Sequence, residues 1–430
     1  MSKYLVIWPK SSNVVHINYH YTQFGEYIDY LNNKLSGKVK ALDLDVADEN
    51  LIEYIKNNEI SKIAVQVNYE NSKNSFETIN TIKENFNIPV MAYGNIARMF
   101  PDLFFKLPVD MIINDGDDEK CIETFFKYYD NSKLVSEFSN NIKGGKIIQN
   151  GKFIPTAKGE YVDSNEWGYS KIEFVPIYDY DRIKGKNRYI LNISRGCPFA
   201  CSHCLIQMTE GKTERRRSVE NVDKAISDIS KEYKHIKIWA ANFTLDKKYV
   251  DDFCNMMIKN HPDITWECAT RIELVKDNKM LEKMNQAGCK QITLGIESLN
   301  NKELIHTKNF KIEDIDRAIN NINNNNMVVK GCIMLGMPNQ SKQDIINTLE
   351  FLNERNVVIR PTIYTPYQLL DKHINVDELS KYNRKTLENE NVEGVSSKQL
   401  LELVKNPYDY KKILDLNMEE RKSCNEILSK

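Results

Sequence analysis

Three cysteines, Cys197, Cys201 and Cys204, stand at C-x3-C-x2-C spacing within one short stretch, Cys197-Pro198-Phe199-Ala200-Cys201-Ser202-His203-Cys204. Thiolates so spaced can hold an iron–sulfur cluster by three corners. Protein clusters usually take four Cys ligands, so a set of three leaves one iron for an exogenous group, which is a catalytic arrangement. The competing readings are a structural zinc site that adds His203, and an iron–sulfur electron carrier. Zinc ligands normally come as two separated pairs, and no second pair follows this one closely. A carrier would normally want every iron ligated by protein.

The cysteines must be positioned by what precedes and follows them. Tyr189-Ile190-Leu191-Asn192-Ile193-Ser194 reads as a strand running into Arg195-Gly196-Cys197, so the loop sits at a strand's carboxyl end, the end that carries chemistry in barrels. Strands are expected at 189–194, 236–239, 265–269, 291–295, 328–334 and 359–364. Helical patterns lie between them at 218–233, 247–259, 277–287, 312–323 and 341–355. Six such units predict a partial parallel barrel over 186–370.

Residues 1–135 show a second α/β alternation. Strands are expected at 4–8, 39–44, 62–67, 90–93 and 111–114, with helices at 21–35, 49–56, 75–85, 97–107 and 119–129. This pattern predicts a doubly wound, Rossmann-like parallel sheet that binds its ligand at the strand carboxyl ends. The loops there contain Pro9, Ser11 and Ser12, then Asn68 and Tyr69, then Tyr93, Gly94 and Asn95, and finally Gly116. Such residues suit close approach of a large ligand, and equally suit plain turns. Residues 136–185 read as a linker. Residues 371–430 read as a charge-rich, mainly helical C-terminal region, with 396–404 and 410–428 the clearest helices and Tyr364, Pro366 and Tyr367 just before it.

The cysteine motif, placed after the first strand of such a barrel, resembles the signature of the radical S-adenosylmethionine (SAM) superfamily. The sheet ahead of it resembles the cobalamin-binding domain of the cobalamin-dependent radical SAM enzymes. That likeness rests on Phe24-Gly25-Glu26-Tyr27-Ile28, Gly94-Asn95-Ile96 and the run from Val109-Asp110 to Gly116-Asp117-Asp118-Glu119. The resemblance implies a [4Fe-4S] cluster on Cys197, Cys201 and Cys204, SAM on the open iron, and cobalamin on the rim residues named above. No Asp-x-His-x-x-Gly occurs, which implies that no protein imidazole ligates cobalt from below.

For SAM, the resemblance implies Phe199 and His203 in the loop, then Ala240, Ala241 and Asn242 where the superfamily often has Gly-Gly-Glu. Arg271 would meet the SAM carboxylate, its alternative being an ion pair with Glu267 or Glu273. Glu297 and Ser298 would meet the ribose or amine, and Gly331 and Ile333 would admit adenine. The activity implied is methylation of an unactivated carbon in a small metabolite or peptide-derived product. One SAM would methylate cobalamin and a second would be cleaved to a 5′-deoxyadenosyl radical. A rearrangement or cyclisation without methyl transfer, or a barrel carrying a cobalamin-free scaffold, are the alternatives.

Composition constrains partners. The 430 residues are 41% apolar and 28% charged with a net charge of −1, giving no broad electrostatic footprint for nucleic acid. Arg215-Arg216-Arg217 is expected to be a solvated face or an anion contact. No apolar stretch is long enough to cross a bilayer, and nine cysteines without a framework pattern suit a reducing compartment, so a cytoplasmic monomer served by a one-electron reductant is expected.

Overall fold

The computed structural model describes residues 3–11, 20–171, 188–299, 310–365, 367, 370–382 and 392–415. The chain divides into two compact units. One holds residues up to 198 together with 205–218 and 369–383; the other holds 199–204, 219–368 and the rest of the chain.

The first unit is built on β1 (Lys3–Trp8), β2 (Val39–Asp43), β3 (Ile60–Gln66), β4 (Val90–Tyr93) and β5 (Met111–Ile113), which pair in parallel in the order β2-β1-β3-β4-β5. Leu5–Trp8, Ile63–Gln66 and Val90–Tyr93 are buried at every position, as helices on both faces of a parallel sheet require. The helices lie where the 3.6-residue period places them, at His20–Lys34, Leu51–Asn57, Ser72–Asn85 and Asp118–Tyr128. The exception is 97–107. There Asn95–Met99 is α-helical and Pro101 opens a 3-10 turn through Lys106, because proline cannot donate the next helical hydrogen bond.

The stretch 136–185 contributes to this sheet. β6 (Gly145–Gln149) and β7 (Lys152–Pro155) form an antiparallel hairpin whose first strand pairs with β5. The chain beyond the hairpin then lies over the end of β5, where Asp117 N–H donates to Glu160 O (3.0 Å) and Val162 N–H to Asp117 Oδ2 (2.9 Å). Gly116 has φ +77°, and a Cβ on it would stand 2.7 Å from Glu160 N. Gly116→Ala is therefore expected to lower the unfolding free energy by about 1–3 kcal/mol, measured by denaturant titration.

The same unit contains β8 (Tyr189–Asn192) and a two-residue ladder of β9 (Ser194–Arg195) with β10 (Arg215–Arg216). The ladder overturns the expectation of a solvated arginine run. Arg217 is 1% exposed and donates to Asn192 O (2.8 Å), Trp167 O (2.7 Å) and Gly168 O, while Arg215 forks onto Asp117 (2.7 and 2.9 Å). The guanidiniums of Arg195 and Arg215 lie 4.4 and 5.4 Å from the Trp167 ring. A guanidinium can be buried where its N–H groups meet carbonyls or carboxylates and its face meets an aromatic ring.

The second unit is built on five strands: β11 (His235–Trp239), β12 (Thr265–Thr270), β13 (Cys289–Glu297), β14 (Val328–Leu335) and β15 (Val358–Ile363). They pair in parallel in that order. Their helices are Val219–Ile229 in the first gap's place, then Lys247–Asn260, Asn278–Gln286, Ile312–Asn324 and Lys342–Glu354. Asp246 and Ser341 cap the starts of two of them by accepting from Tyr249 N and Asp344 N. Ser397–Lys405 packs beside β15. Of the helix expected at 410–428, Tyr410–Ile413 forms a single turn that Leu414 caps, and Asp415 is left-handed (φ +52°), so the helix stops there; 416–430 and Pro366 lie outside the described residues.

Candidate functional site

The cysteine loop begins in the first unit. Gly196 adopts φ +82°, and a Cβ there would stand 2.2 Å from Thr213 O, so only glycine turns the chain at this point. Its N–H donates to a Glu210 carboxylate oxygen (2.9 Å), while Cys197 donates to Gly211 O (3.2 Å) and accepts from Gln207 Nε2 (3.1 Å). Burial pushes the Glu210 carboxyl up, against the pull of that backbone donor and of Arg195. Glu210 is a positioning residue that the sequence did not mark, since nothing in its spacing from the cysteines announces it.

Within the second unit, Cys204 N–H donates to Cys201 O (3.0 Å), closing a tight turn. Arg271 follows β12 directly and is 7% exposed. It donates from Nη1 to Cys201 Sγ (3.4 Å), lies 4.1 Å from the Phe199 ring, and takes Glu273 on Nε (2.5 Å). Arg271 is thus ion-paired with Glu273, one of its two expected acidic partners, and it also touches the thiol.

Glu297 ends β13 at φ +66°, a left-handed conformation that costs a non-glycine residue on the order of 1–3 kcal/mol. It is buried, and its carboxylate is 3.9 Å from His203 Nε2. Phe199, Cys201, His203, Arg271 and Glu297 are therefore assembled by two strand ends and one loop. Among the described residues no three His, Cys, Asp or Glu side chains close on one point, as a mononuclear ion would need. A cluster presents its irons at separate corners, so the thiols suit it without such convergence, and the cation on Cys201 suits a ligand set that carries negative charge.

The other residues expected near SAM are placed as follows. Ala240 and Asn242 are buried and Ala241 half-buried after β11, and Ser298 is buried beside Glu297. Gly331 and Ile333 lie on β14, but a Cβ on Gly331 would meet Ile296, Val357 and Leu352 side chains (3.0–3.5 Å), and Ile333 is 1% exposed. The bare side of Gly331 thus faces the helical layer. The turn that follows is held by Gln340, which accepts from Gly336 N (2.8 Å) and donates to Met334 O (3.0 Å).

In the first unit, Pro9, Asn68, Tyr93 and Gly116 stand where β1, β3, β4 and β5 end, on one rim of the sheet. The order β2-β1-β3-β4-β5 reverses between β1 and β3, the crevice where ligands of such sheets bind. Ser11 is held by Asp45, which accepts its N–H and its hydroxyl (2.7 Å each), and Tyr69 donates to Met99 Sδ (3.3 Å). Asn68 Oδ1 accepts from Asn95 N (2.9 Å), and a Cβ on Gly94 would stand 2.7 Å from the same oxygen. The Tyr93 hydroxyl is buried with no hydrogen-bond partner among the described residues. Ser12 lies outside them. On this rim Pro9, Asn68, Tyr69, Tyr93 and Gly94 are buried and Ser11 and Asn95 half-buried, and at β5 the space beside Gly116 is filled by 159–160.

Residues 191–352 match the family model of the Radical SAM superfamily. This stretch is a radical SAM domain. Among curated proteins, an uncharacterized methyltransferase of Pyrococcus horikoshii is 28% identical over 208 residues, covering 46% of this chain and 45% of its own. An anaerobic magnesium-protoporphyrin IX monomethyl ester cyclase of Rubrivivax gelatinosus is 23% identical over 309 residues, covering 66% and 53%. The chain therefore spans about half the length of these curated relatives. Among solved structures, the cobalamin-dependent SAM radical enzyme OxsB, with aqua-cobalamin and SAM bound, superposes with a TM-score of 0.67 at 18% identity. That match covers 97% of this chain and 62% of OxsB, so the likeness in fold takes in the radical SAM domain and the sheet before it. No helix among the described residues is long and apolar enough to cross a membrane.

Proposed function

We propose that the chain is a cobalamin-dependent radical SAM methyltransferase acting on an unactivated carbon of a small metabolite or peptide-derived product. The observation that carries this reading is the pairing of a thiol loop contacted by Arg271 with a separate sheet whose strand order leaves a crevice between β1 and β3. When bound, the cluster supplies the electron that cleaves SAM, and cobalamin supplies a carrier for the methyl group.

The chain's own residues position these groups. Cys197, Cys201 and Cys204 would hold the cluster. Arg271, fixed by Glu273 on one side and by Phe199 on its face, presents a guanidinium that can meet the SAM carboxylate beside the thiol it already touches. Glu297 offers a buried carboxylate for ribose hydroxyls or the amine, held in a conformation that the end of β13 enforces. Pro9, Ser11, Asn68, Tyr69, Tyr93, Gly94 and Asn95 are the rim residues that would meet cobalamin, with the unpaired Tyr93 hydroxyl as a donor.

Anaerobically reconstituted protein, given reductant and SAM, is expected to form 5′-deoxyadenosine and, with substrate, S-adenosylhomocysteine. Cobalamin is expected in its visible spectrum. Absence of 5′-deoxyadenosine would remove the enzymatic reading. The kinship to a cyclase favours a second reading, cyclisation without methyl transfer, which 5′-deoxyadenosine without S-adenosylhomocysteine would select. Arg271→Gln is expected to raise the KM for SAM about tenfold, the effect of losing one charge-assisted hydrogen bond, with a smaller change in kcat.

A further inference from the structure

The amino ends of β3 and β4, opposite the rim described above, border a cavity of about 460 Å³ in the first unit. Lys62 of β3 and Pro89 line one side of it, and the end of the helix Asp118–Tyr128 lines the other, followed by Asp130, Asn131 and Lys133. The last turn of that helix leaves carbonyls without an intrahelical donor, and Phe126 O is one of them. Lys62 Nζ supplies the donor, at 2.8 Å. The other two lysines of the cavity are paired with carboxylates, Lys127 with Glu123 (2.6 Å) and Lys133 with Asp130 (3.5 Å). Lys62 pairs with no carboxylate among the described residues, and its bond to Phe126 O needs only one N–H, which a neutral amine also has.

We propose that Lys62 is an acylation site, whose uncharged amine, half-buried on this cavity, takes an acyl group from an acyl phosphate. The nitrogen lone pair attacks the carbonyl carbon, and the bond from that carbon to the phosphate oxygen breaks. Inorganic phosphate leaves with the electron pair, and the surplus proton on nitrogen passes to it or to solvent. The amide so formed carries no charge and keeps one N–H, enough for Phe126 O. Both properties suit the place. Burial disfavours the ammonium and pushes Lys62 down to about 8, with Asp130 the one charge that pulls it up. The other titratable groups on the cavity are Lys127, Lys133, Glu137, Tyr128 and Tyr129, and Tyr4 stands beside Lys62 in register on β1. Acylation thus removes a charge that the site holds at a cost, and it leaves the helix end with its donor.

Acetyl phosphate is the probe. Anaerobically reconstituted full chain is incubated with it across a pH series, without SAM or reductant, and acetylation of each lysine is followed by peptide mass spectrometry. A lysine with the ordinary value of about 10.4 is neutral to about one part in 10³ at about pH 7.5, and one at about 8 to about one part in 4. A less basic amine is also a weaker nucleophile, which returns part of that gain, so Lys62 is expected to be acetylated about tenfold faster than the exposed Lys152 at about pH 7.5. Its rate is expected to level off above about pH 8, whereas that of an ordinary lysine climbs toward about pH 10. In guanidinium chloride the advantage over Lys152 is expected to vanish, because burial is its cause. Acetylation of Lys62 no faster than of Lys152, a Lys62 rate still climbing at about pH 10, or an advantage that survives unfolding would each overturn the inference. The result does not depend on the chemistry at the cysteine loop, so a chain that forms no 5′-deoxyadenosine would leave the acylation site standing.

Discussion

Cys201→Ala is expected to leave a folded protein that holds no [4Fe-4S] cluster and forms 5′-deoxyadenosine at least about 10³-fold more slowly, about 4 kcal/mol at 1.36 kcal/mol per decade. The two halves of that result come from different features. Cys201 is only half-buried and lies outside the apolar core, so its truncation removes little packing. Its thiol is, however, the one Arg271 donates to, and with two cysteines left the cluster would lack a corner on the side where SAM is to be oriented. Iron content, the visible spectrum and the thermal midpoint separate the outcomes. Retained iron with retained SAM cleavage would remove Cys201 from the ligand set. A collapsed thermal midpoint would make the loop structural instead.

How much of this was legible depended on whether a local pattern determined the outcome. The parallel strands β1–β5 and β11–β15 followed from runs of β-branched and apolar residues, because a parallel sheet buried on both faces needs such runs, whereas the antiparallel hairpin of β6 and β7 lies in the stretch 136–185 that reads as a linker. Pro101 was equally readable as a breaker, yet the apolar period of 97–107 outweighed it in the reading, and the structure divides the segment where the N–H is missing. Arg215–Arg217 failed for a different reason. Its charges are buried by partners at 117, 161, 167 and 192, and no local pattern encodes so distant a set of acceptors. Gly331 was read by its place in a motif, but the parity of a strand decides which way its bare side points, and here that is toward Leu352.

The largest effect on stability is expected from Arg195→Met. Arg195 immediately precedes Gly196 and the cysteine loop, is 5% exposed, and is paired with Glu119 and with Glu26 (3.2 Å) under the ring of Trp167. Burial pushes both carboxyls up, Glu119 to about 7, and Arg195 pulls both down. Without the guanidinium two buried carboxylates have lost their counter-ion, a change that costs about 3–5 kcal/mol in comparable settings. The sign of the pH dependence follows. A carboxyl whose folded pKa lies above its unfolded value contributes stability that is present at low pH and lost as pH rises through the folded value. Removing Arg195 moves the folded values further up. The variant is therefore expected to be closest to the parent at about pH 5, below the folded Glu119 value, and to fall away from it toward about pH 8. Denaturant midpoints across that range measure the effect. Combining Glu26→Gln and Glu119→Gln with Arg195→Met is expected to flatten the pH dependence and recover part of the loss, because no buried charge then remains uncompensated. A variant equally destabilised at both ends of the range would show that the guanidinium acts through its packing on Trp167 rather than through its charge.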